Sequence, residues 1–237
     1  MMIRAGLRAL GIAVLLAVCL PIWVVMRLFG DGTGMVCFFM GSVGWLLGLR
    51  VTIAGKPLDR NVLYVANHIT WLDILALGGA RYTRFVAKSE IAGWPLVGWL
   101  SKIGGSVFVT RERRSSTRSQ ANAVVDALLT GHAVGLFPEG GTSDGVTLDP
   151  FRPALFAAAV EAGVMVQPVA IDYGARSPEI AWPDGTGFGT EGKRMMGRPA
   201  PVRVTLHFLE PLDASKIDRK VLAAESQRAI AAALGHA

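Results

Sequence analysis

His68 and Asp73 are the two residues of this sequence best suited by type and spacing to acid–base chemistry. They lie five positions apart in Asn67-His68-Ile69-Thr70-Trp71-Leu72-Asp73, directly after the apolar run 62–66. Such a run is typical of a buried strand, and open α/β sheets bind ligands where strands end. Because a carboxylate can orient an imidazole and stabilise its protonated form, we expect His68 to act as a general base oriented by Asp73.

The same residues also have a purely structural interpretation. Thr70-x-x-Asp73 fits a helix capping box, in which the carboxylate only accepts hydrogen bonds from backbone N–H groups. His68 would then be a hydrogen-bonded loop residue. This short segment by itself leaves both interpretations open.

Three further segments follow in order, and they favour the catalytic interpretation over the structural one. They are Gly105-Ser106-Val107-Phe108-Val109-Thr110-Arg111, then Phe137-Pro138-Glu139-Gly140-Gly141-Thr142-Ser143, then Val166-Gln167-Pro168-Val169-Ala170. With His68-x4-Asp73, these blocks resemble the glycerolipid acyltransferase family, whose best-known members acylate lysophosphatidic acid. The resemblance extends from about Gly55 to Pro211. It implies direct transfer of a fatty acyl group from a thioester to a hydroxyl, with His68 as base, Asp73 as its partner and no acyl-enzyme.

The second and third blocks supply the predicted substrate-binding residues. Glu139 follows a predicted strand, so its carboxylate can accept hydrogen bonds from hydroxyls of the acceptor. Gly140 and Gly141 let backbone N–H groups approach a head group or an oxyanion closely. The resemblance implies that Arg111 helps to hold the anionic group of the acceptor, a task that suits a guanidinium fork. The alternative for Arg111 is an ordinary surface cation.

The third block departs from the family pattern at one position. The family usually has Glu-Gly-Thr-Arg-Ser, whereas Thr142 here occupies the position of the Arg, followed by Ser143. The change removes a cation that could pair with phosphate. The ending Gly140-Gly141-Thr142-Ser143-Asp144-Gly145 resembles the branch that acylates lyso-ornithine lipid, whose head group is an amino acid. We therefore favour lyso-ornithine lipid as acceptor, with lysophosphatidic acid, which would give phosphatidic acid, as the alternative.

Two other classes of function compete with this interpretation. Residues 141–145 match the Gly-x-Ser-x-Gly nucleophile elbow of serine esterases, which would use Ser143 as nucleophile together with His207. The elbow requires a helix immediately after the serine, and the sequence following Ser143 does not favour one. A membrane-anchored lipid-binding protein without catalysis would not need His68 and Asp73 together.

Composition favours a membrane partner over a nucleic acid. The chain has 237 residues, a net charge of +6 and 51% hydrophobic residues, and no nucleic-acid-binding motif is recognisable. A basic and apolar chain suits an anionic bilayer. We expect no metal site and no cofactor beyond the acyl donor, which is acyl-CoA or acyl carrier protein. Cys19 and Cys37 lie in apolar segments and suit neither a disulfide framework nor catalysis.

The N-terminus predicts a membrane anchor. Two apolar stretches, 7–29 and 35–49, are joined by a Gly-rich turn, and the first approaches the ~20 residues that span a bilayer. A transmembrane hairpin and a two-helix anchor in one leaflet both fit, whereas a cleaved signal peptide fits poorly. We expect Pro21 to kink the first helix. Arg4, Arg8 and Arg50 predict that both ends face the cytoplasm, which places the catalytic domain on the cytoplasmic side of a bacterial-type inner membrane.

The remaining sequence predicts an α/β domain with a largely parallel sheet flanked by helices, because strand-like and helix-like segments alternate. We place the membrane-anchoring helical hairpin at residues 1–50 and the acyltransferase domain at 51–237. The predicted strands are 51–54, 62–66, 84–87, 106–109, 134–137, 164–171 and 202–208, and the predicted helices are 70–78, 115–129, 154–161 and 215–234.

Two further segments are interpreted less specifically. Residues 174–201 read as a long Gly/Pro-rich connection, either a membrane-contacting segment or an ordinary solvated loop. Residues 91–100 contain Trp94 and Trp99 in an apolar context, which suits a membrane interface or an acyl tunnel but also a kinked core helix.

Overall fold

The computed structural model describes residues 2–109, 117–182, 185–199 and 201–236. A single sheet forms its centre. The strands are β1 (Leu49–Gly55), β2 (Val62–Ala66), β3 (Thr83–Lys88), β4 (Val107–Val109), β5 (Ala133–Leu136), β6 (Met165–Asp172), β7 (Val202–Phe208) and β8 (Leu212–Asp213). Their order is β1-β7-β6-β2-β5-β3-β4, with β8 beside β6. Only the pairings of β6 with β7 and β8 are antiparallel among the described strands, so the predicted largely parallel α/β sheet is confirmed.

The α-helices are α1 (Met2–Phe29), α2 (Thr33–Leu47), α3 (Leu72–Ala80), α4 (Val97–Ile103), α5 (Thr117–Leu129), α6 (Ala157–Ala162), α7 (Ser177–Ile180), α8 (Phe188–Gly197) and α9 (Arg219–Leu234). The helix predicted over 70–78 is observed two residues later, and residues 115 and 116 of the helix predicted over 115–129 lie outside the described residues. Two other predicted helices differ more. The segment predicted as one helix over 154–161 begins with a 3₁₀ turn, Pro153–Phe156, that leads into α6. The closing helix begins at Arg219 rather than at 215, because the Asp218 carboxylate caps it by accepting hydrogen bonds from the next turn.

Helices cover both faces of the sheet. Every residue of β2 is buried, as expected for a central parallel strand between two helical layers. Tyr64 points into the cluster that contains residues of α2 and α3, whereas Leu63 and Val65 point into the cluster formed with α5, α6 and α9. This packing on two sides fixes the position of the carboxyl end of β2, where His68 follows.

The two N-terminal helices differ in how they pack. Within the described chain, α1 is the helix long and apolar enough to cross a membrane, and it continues through Pro21 with most of its apolar side chains exposed. In contrast, α2 contributes Val43 and Leu47 to the core beside α3. Gly79 lies so close to α2 that a Cβ there would meet the backbone of Gly41 at 2.6 Å. The boundary at residue 50 stays a prediction, but α2 shares its core with the sheet domain.

The prediction of a long Gly/Pro-rich loop over residues 174–201 is wrong for the described part of that segment, which contains α7 and α8. A distant contact holds α8 in place. The Arg8 side chain of α1 donates hydrogen bonds to the carbonyl oxygens of Met195, Met196 and Arg198, at 3.2, 2.9 and 2.8 Å. The Met195 carbonyl oxygen also accepts from the N–H of Arg198, so the guanidinium adds donors to carbonyl oxygens at and just after the end of α8. These bonds connect α1 to α8.

Candidate active site

The loop that carries His68 is held against the sheet by the side chain of the residue before it. The Asn67 amide donates to the carbonyl oxygen of Ile171 at 3.0 Å and accepts from its N–H at 2.7 Å. The amide thereby continues the pairing of β2 with β6 for one more residue. In addition, the His68 carbonyl oxygen accepts from the N–H of Ser143 at 2.8 Å, and the Ile69 carbonyl oxygen accepts from that of Trp182 at 2.7 Å. The backbone around His68 is therefore fixed from three sides.

His68 and Asp73 form a close pair. The His68 Nδ1 atom lies 2.8 Å from Oδ2 of Asp73, whose side chain is fully buried. The same Oδ2 accepts from the backbone N–H groups of Ile69 and Thr70, at 2.8 and 2.9 Å. Asp73 therefore pairs with the imidazole and supplies the carboxylate half of the capping box at the start of α3, whereas the Thr70 hydroxyl, which has no partner in the described structure, does not supply the other half. With a carboxylate as partner, Nδ1 carries the proton, an assignment made from the hydrogen-bond network, and Nε2 is left as the base.

The imidazole ring is also fixed by aromatic packing. The His68 ring stacks on Phe137 with centroids 4.0 Å apart and planes 16° apart, and Phe137 stacks in turn on Phe85 at 6.0 Å. The side chain of His68 remains 16% exposed. Across the described residues Nε2 has no hydrogen-bond partner, so the basic nitrogen is accessible to a substrate hydroxyl while the ring cannot rotate freely.

Sequence reasoning missed Tyr173, whose hydroxyl donates to Oδ1 of Asp73 at 2.7 Å. Tyr173 lies just after β6, the strand that neighbours β2. Its signal in the sequence was its place three residues after the fourth block, which ends at Ala170, and just after the strand predicted over 164–171.

Glu139 lies beside the dyad but in a different environment from the one predicted. It is 4% exposed, Oε1 accepts from the N–H of His68 at 2.6 Å, and Oε2 accepts from the N–H of Asp149 at 3.1 Å. Burial raises the pKa of Glu139 to about 8, although the two N–H groups act in the opposite direction. Both oxygens thus connect the His68 loop to the segment around Asp149, and a contact with acceptor hydroxyls stays a prediction.

This buried carboxyl group predicts a characteristic dependence of stability on pH. Its pKa in the folded protein, about 8, lies above the ordinary value of 4.5, so the folded state binds more protons than the unfolded state between those values. The free energy of unfolding should therefore fall as the pH rises from about 5 to 8. We expect Glu139→Gln to flatten that decline, and Glu161→Gln, at an exposed position on α6, to leave it unchanged. Urea unfolding at pH 5, 6.5 and 8 measures the free energy of unfolding of each protein. An equal fall with pH in wild type and Glu139→Gln would contradict the assignment of this decline to Glu139.

The rest of the third block forms a tight turn after β5. The Gly140 N–H donates to the carbonyl oxygen of Phe137 at 3.1 Å, and its φ of +82° requires glycine. Gly141 borders open space, Thr142 is half-buried, and the Ser143 hydroxyl points toward the carbonyl oxygen of His68 at 3.5 Å. This turn therefore lies beside the dyad, where an acceptor head group can reach it.

Arg111 lies outside the described residues, so its contact with the acceptor stays a prediction. Among the residues that are described, no group of three or more His, Cys, Asp or Glu side chains is placed to hold a metal ion.

The geometry of a serine hydrolase is missing around Ser143. In the described structure, residues 137–152 contain no helix, whereas a nucleophile elbow needs one directly after the serine. Within the described part of the chain, the Ser143 hydroxyl does not bond to an imidazole either. His207 lies on β7 with its Nε2 3.9 Å from the carboxylate of Asp172.

An aromatic cluster borders the His68 loop. Phe188, at the start of α8, lies between Trp71, Trp94 and Trp182, with ring centroids 5.9, 5.1 and 5.8 Å away. All four rings are half-buried. Trp94 thus packs against α8, a contact that sequence reasoning did not anticipate, and Trp99 beyond it is 44% exposed. The predicted membrane or acyl-chain contact of residues 91–100 stays a prediction.

Comparison with known proteins shows which family this chain is similar to. Residues 50–172 match the family model described as Acyltransferase. The chain is 34% identical over 242 residues to a lyso-ornithine lipid O-acyltransferase of Pseudomonas aeruginosa, an alignment that covers 97% of this chain and 90% of that protein.

Two other similarities extend the comparison. The chain is 39% identical over 127 residues to a 1-acyl-sn-glycerol-3-phosphate acyltransferase of Neisseria gonorrhoeae, covering 54% of this chain and 50% of that protein. Its fold is similar to the crystal structure of the 1-acyl-sn-glycerophosphate acyltransferase from Thermotoga maritima. The TM-score is 0.73 and the identity 24%, over 98% of this chain and 95% of that one.

Proposed function

The chain belongs to the acyltransferase family, and from that premise we propose that it transfers a fatty acyl group from an acyl thioester to the free hydroxyl of a lysolipid. The observation that carries this proposal is the His68–Asp73 pair. Its Nδ1 is hydrogen-bonded to a buried carboxylate at 2.8 Å, and its Nε2 is unpaired among the described residues on a partly exposed ring. That is the arrangement needed to take a proton from an alcohol.

The reaction proceeds by direct transfer. Nε2 of His68 removes the proton of the acceptor hydroxyl as the hydroxyl oxygen attacks the thioester carbonyl. The imidazolium that forms is stabilised by the carboxylate of Asp73, and the tetrahedral intermediate collapses by breaking its C–S bond. The departing thiolate takes the proton back from Nε2, which regenerates the neutral ring. A base held in one orientation supports this scheme, because proximity and fixed geometry account for much of such a rate enhancement.

Lyso-ornithine lipid is the acceptor that we favour. Thr142 occupies the position where the family usually has an Arg that could pair with phosphate. In addition, the relative from Pseudomonas aeruginosa, which is named for this acceptor, aligns with nearly the whole chain. Lysophosphatidic acid is the second candidate, since the relative from Neisseria gonorrhoeae is named for that reaction and aligns with half of the chain.

The acyl donor is proposed to be acyl-CoA or acyl carrier protein, and the site of action the inner face of a bacterial-type plasma membrane. The exposed apolar length of α1 supports membrane attachment. Arg4 and Arg50 at the ends of the two N-terminal helices support the cytoplasmic orientation. Arg4 and Arg8 also donate hydrogen bonds to carbonyl oxygens at the end of α8.

The direct test is a panel assay. The purified full-length protein in detergent receives acyl-CoA or acyl carrier protein as donor and, one at a time, lyso-ornithine lipid, lysophosphatidic acid and neutral lysolipids. Products are read by mass spectrometry. Diacylated product from at least one lysolipid is expected, and transfer to none with either donor would overturn the proposal. Labelling of Ser143 by a serine-reactive probe, with release of free fatty acid, would favour the esterase.

Thr142→Arg should shift preference toward phosphate-bearing acceptors. A guanidinium beside the dyad offers phosphate charge-assisted hydrogen bonds of roughly 1.5–3 kcal/mol each at best, and a net gain of about 1.4 kcal/mol changes selectivity about tenfold. The measurement is the ratio of kcat/KM for lysophosphatidic acid to that for lyso-ornithine lipid.

Val146→Arg is the matched control for this substitution. Val146 belongs to the same segment and is 56% exposed, so the variant carries the same added charge at a different place. An equal ratio in wild type and in an active Thr142→Arg protein, or an equal shift in both variants, would mean that position 142 does not select the head group.

A further inference from the structure

We propose that Tyr173 is a positioning residue of the catalytic dyad, which keeps the buried Asp73 side chain ionised and aligned on His68. The inference rests on the proposed acyl transfer, because it assigns a role within that same site. It extends the dyad to a residue contributed by the strand next to the one that leads to His68.

The contacts of Asp73 are the first step of the argument. Its side chain is fully buried, and its two oxygens accept four hydrogen bonds. Oδ2 accepts from His68 Nδ1 and from two backbone N–H groups, whereas the only donor to Oδ1 among the described residues is the Tyr173 hydroxyl, at 2.7 Å. Each hydrogen bond from a donor favours the charged form of a buried carboxylate, and an oxygen left buried without a donor disfavours it. Tyr173 supplies the donor on the side of the carboxylate away from the imidazole.

The environment of Tyr173 makes it a dependable donor. The residue is 5% exposed, and burial together with the Asp73 carboxylate raises its pKa well above the ordinary value of 10. The phenol therefore keeps its proton throughout the pH range of an enzyme assay. Its position is set by β6, whose pairing with β2 fixes the distance between the two strand ends.

Removing this donor has a defined chemical consequence. In Tyr173→Phe the Oδ1 atom stays buried without a partner, so the charged form of Asp73 becomes less favourable and the carboxyl group binds a proton more readily. A protonated Asp73 stabilises the imidazolium less. Glu139 is the other titratable side chain close to the pair, with an oxygen on the His68 N–H, and the charge of Asp73 contributes to its raised pKa.

The experiment compares Tyr173→Phe with Tyr64→Phe in the full-length protein. Tyr64 is a matched control, because it is fully buried and its hydroxyl donates to the carbonyl oxygen of Leu58, away from the dyad. We expect Tyr173→Phe to lower kcat by about tenfold or more, to change KM little, and to move the acidic limb of the pH–kcat profile to higher pH. Tyr64→Phe should lose as much thermal stability without moving that limb.

Two results would overturn the inference. One is an unchanged acidic limb and kcat in Tyr173→Phe, and the other is a loss of activity that only follows the fall in melting temperature in both variants. A second measurement needs no catalysis. The carboxyl resonance of Asp73 in protein labelled with ¹³C-aspartate, assigned through Asp73→Asn, should reach its protonated position at higher pH in Tyr173→Phe than in wild type.

That second measurement separates the two proposals. Absence of transfer by the wild-type protein to any lysolipid would defeat the proposed function and leave the NMR comparison as the test of Tyr173. Identical titrations of Asp73 in the two proteins would defeat the role of Tyr173 whatever the wild type acylates.

Discussion

His68→Asn is expected to lower kcat for acyl transfer by roughly 10²- to 10⁴-fold, the usual contribution of a general base. The variant removes Nε2, the nitrogen without a partner among the described residues, and it leaves an amide N–H where Nδ1 now donates to Asp73. The carboxylate keeps its backbone donors from Ile69 and Thr70. Because that pairing is preserved and the lost ring is partly exposed, the melting temperature should change by only a few degrees.

The control for this variant is His207→Asn. His207 is also half-buried and faces a carboxylate, with its Nε2 3.9 Å from Asp172, but it belongs to β7 rather than to the loop after β2. Initial rates with the best donor and acceptor, and melting curves for both variants, are the measurements. Near-normal turnover in His68→Asn would exclude His68 as the base. A comparable loss in His207→Asn would point to the esterase arrangement instead.

The sequence was informative about this site because its chemistry is concentrated in contiguous blocks. His68, Asp73 and the 139–143 turn each follow a strand that apolar runs and glycines delimit, so their shared edge of the sheet could be predicted. The surroundings of these side chains in the folded protein could not be predicted. Both oxygens of Glu139 accept hydrogen bonds from backbone N–H groups, one of His68 and one of Asp149, ten residues away. No local sequence pattern specifies such partners.

The contact of Tyr173 with Asp73 and the helix α8 were not predicted, for a related reason. The contact of Tyr173 with Asp73 spans 100 residues and depends on β6 lying next to β2, an order that local sequence does not encode. Helix α8 contains Gly189 and Gly192, which disfavour a helix by about 1 kcal/mol each. Carbonyl oxygens at its end accept hydrogen bonds from the Arg8 side chain, almost 190 residues away. Tertiary contacts therefore override a local composition that indicates a loop.

Asp73→Asn should lower kcat by an amount similar to the loss in His68→Asn while preserving most of the stability. An Asn side chain can keep its oxygen on the N–H groups of Ile69 and Thr70, which maintains the cap of α3, and turn its amide toward the Tyr173 hydroxyl, whose oxygen can accept. The charge that stabilises the imidazolium is lost. If the amide instead turns toward His68, it favours the tautomer whose Nε2 already carries a proton and cannot act as base.

Asp73→Ala is the comparison that separates catalysis from structure. It leaves two buried backbone N–H groups without an acceptor, each costing about 1–3 kcal/mol, and should lower the melting temperature by several degrees or more. Turnover and melting curves on wild type, Asp73→Asn and Asp73→Ala give the answer. Low activity in both variants, with stability lost chiefly in Asp73→Ala, is expected when one carboxylate serves dyad and cap together. Activity retained in Asp73→Asn would leave Asp73 only its role in starting α3, and His68 would then act without a charged partner.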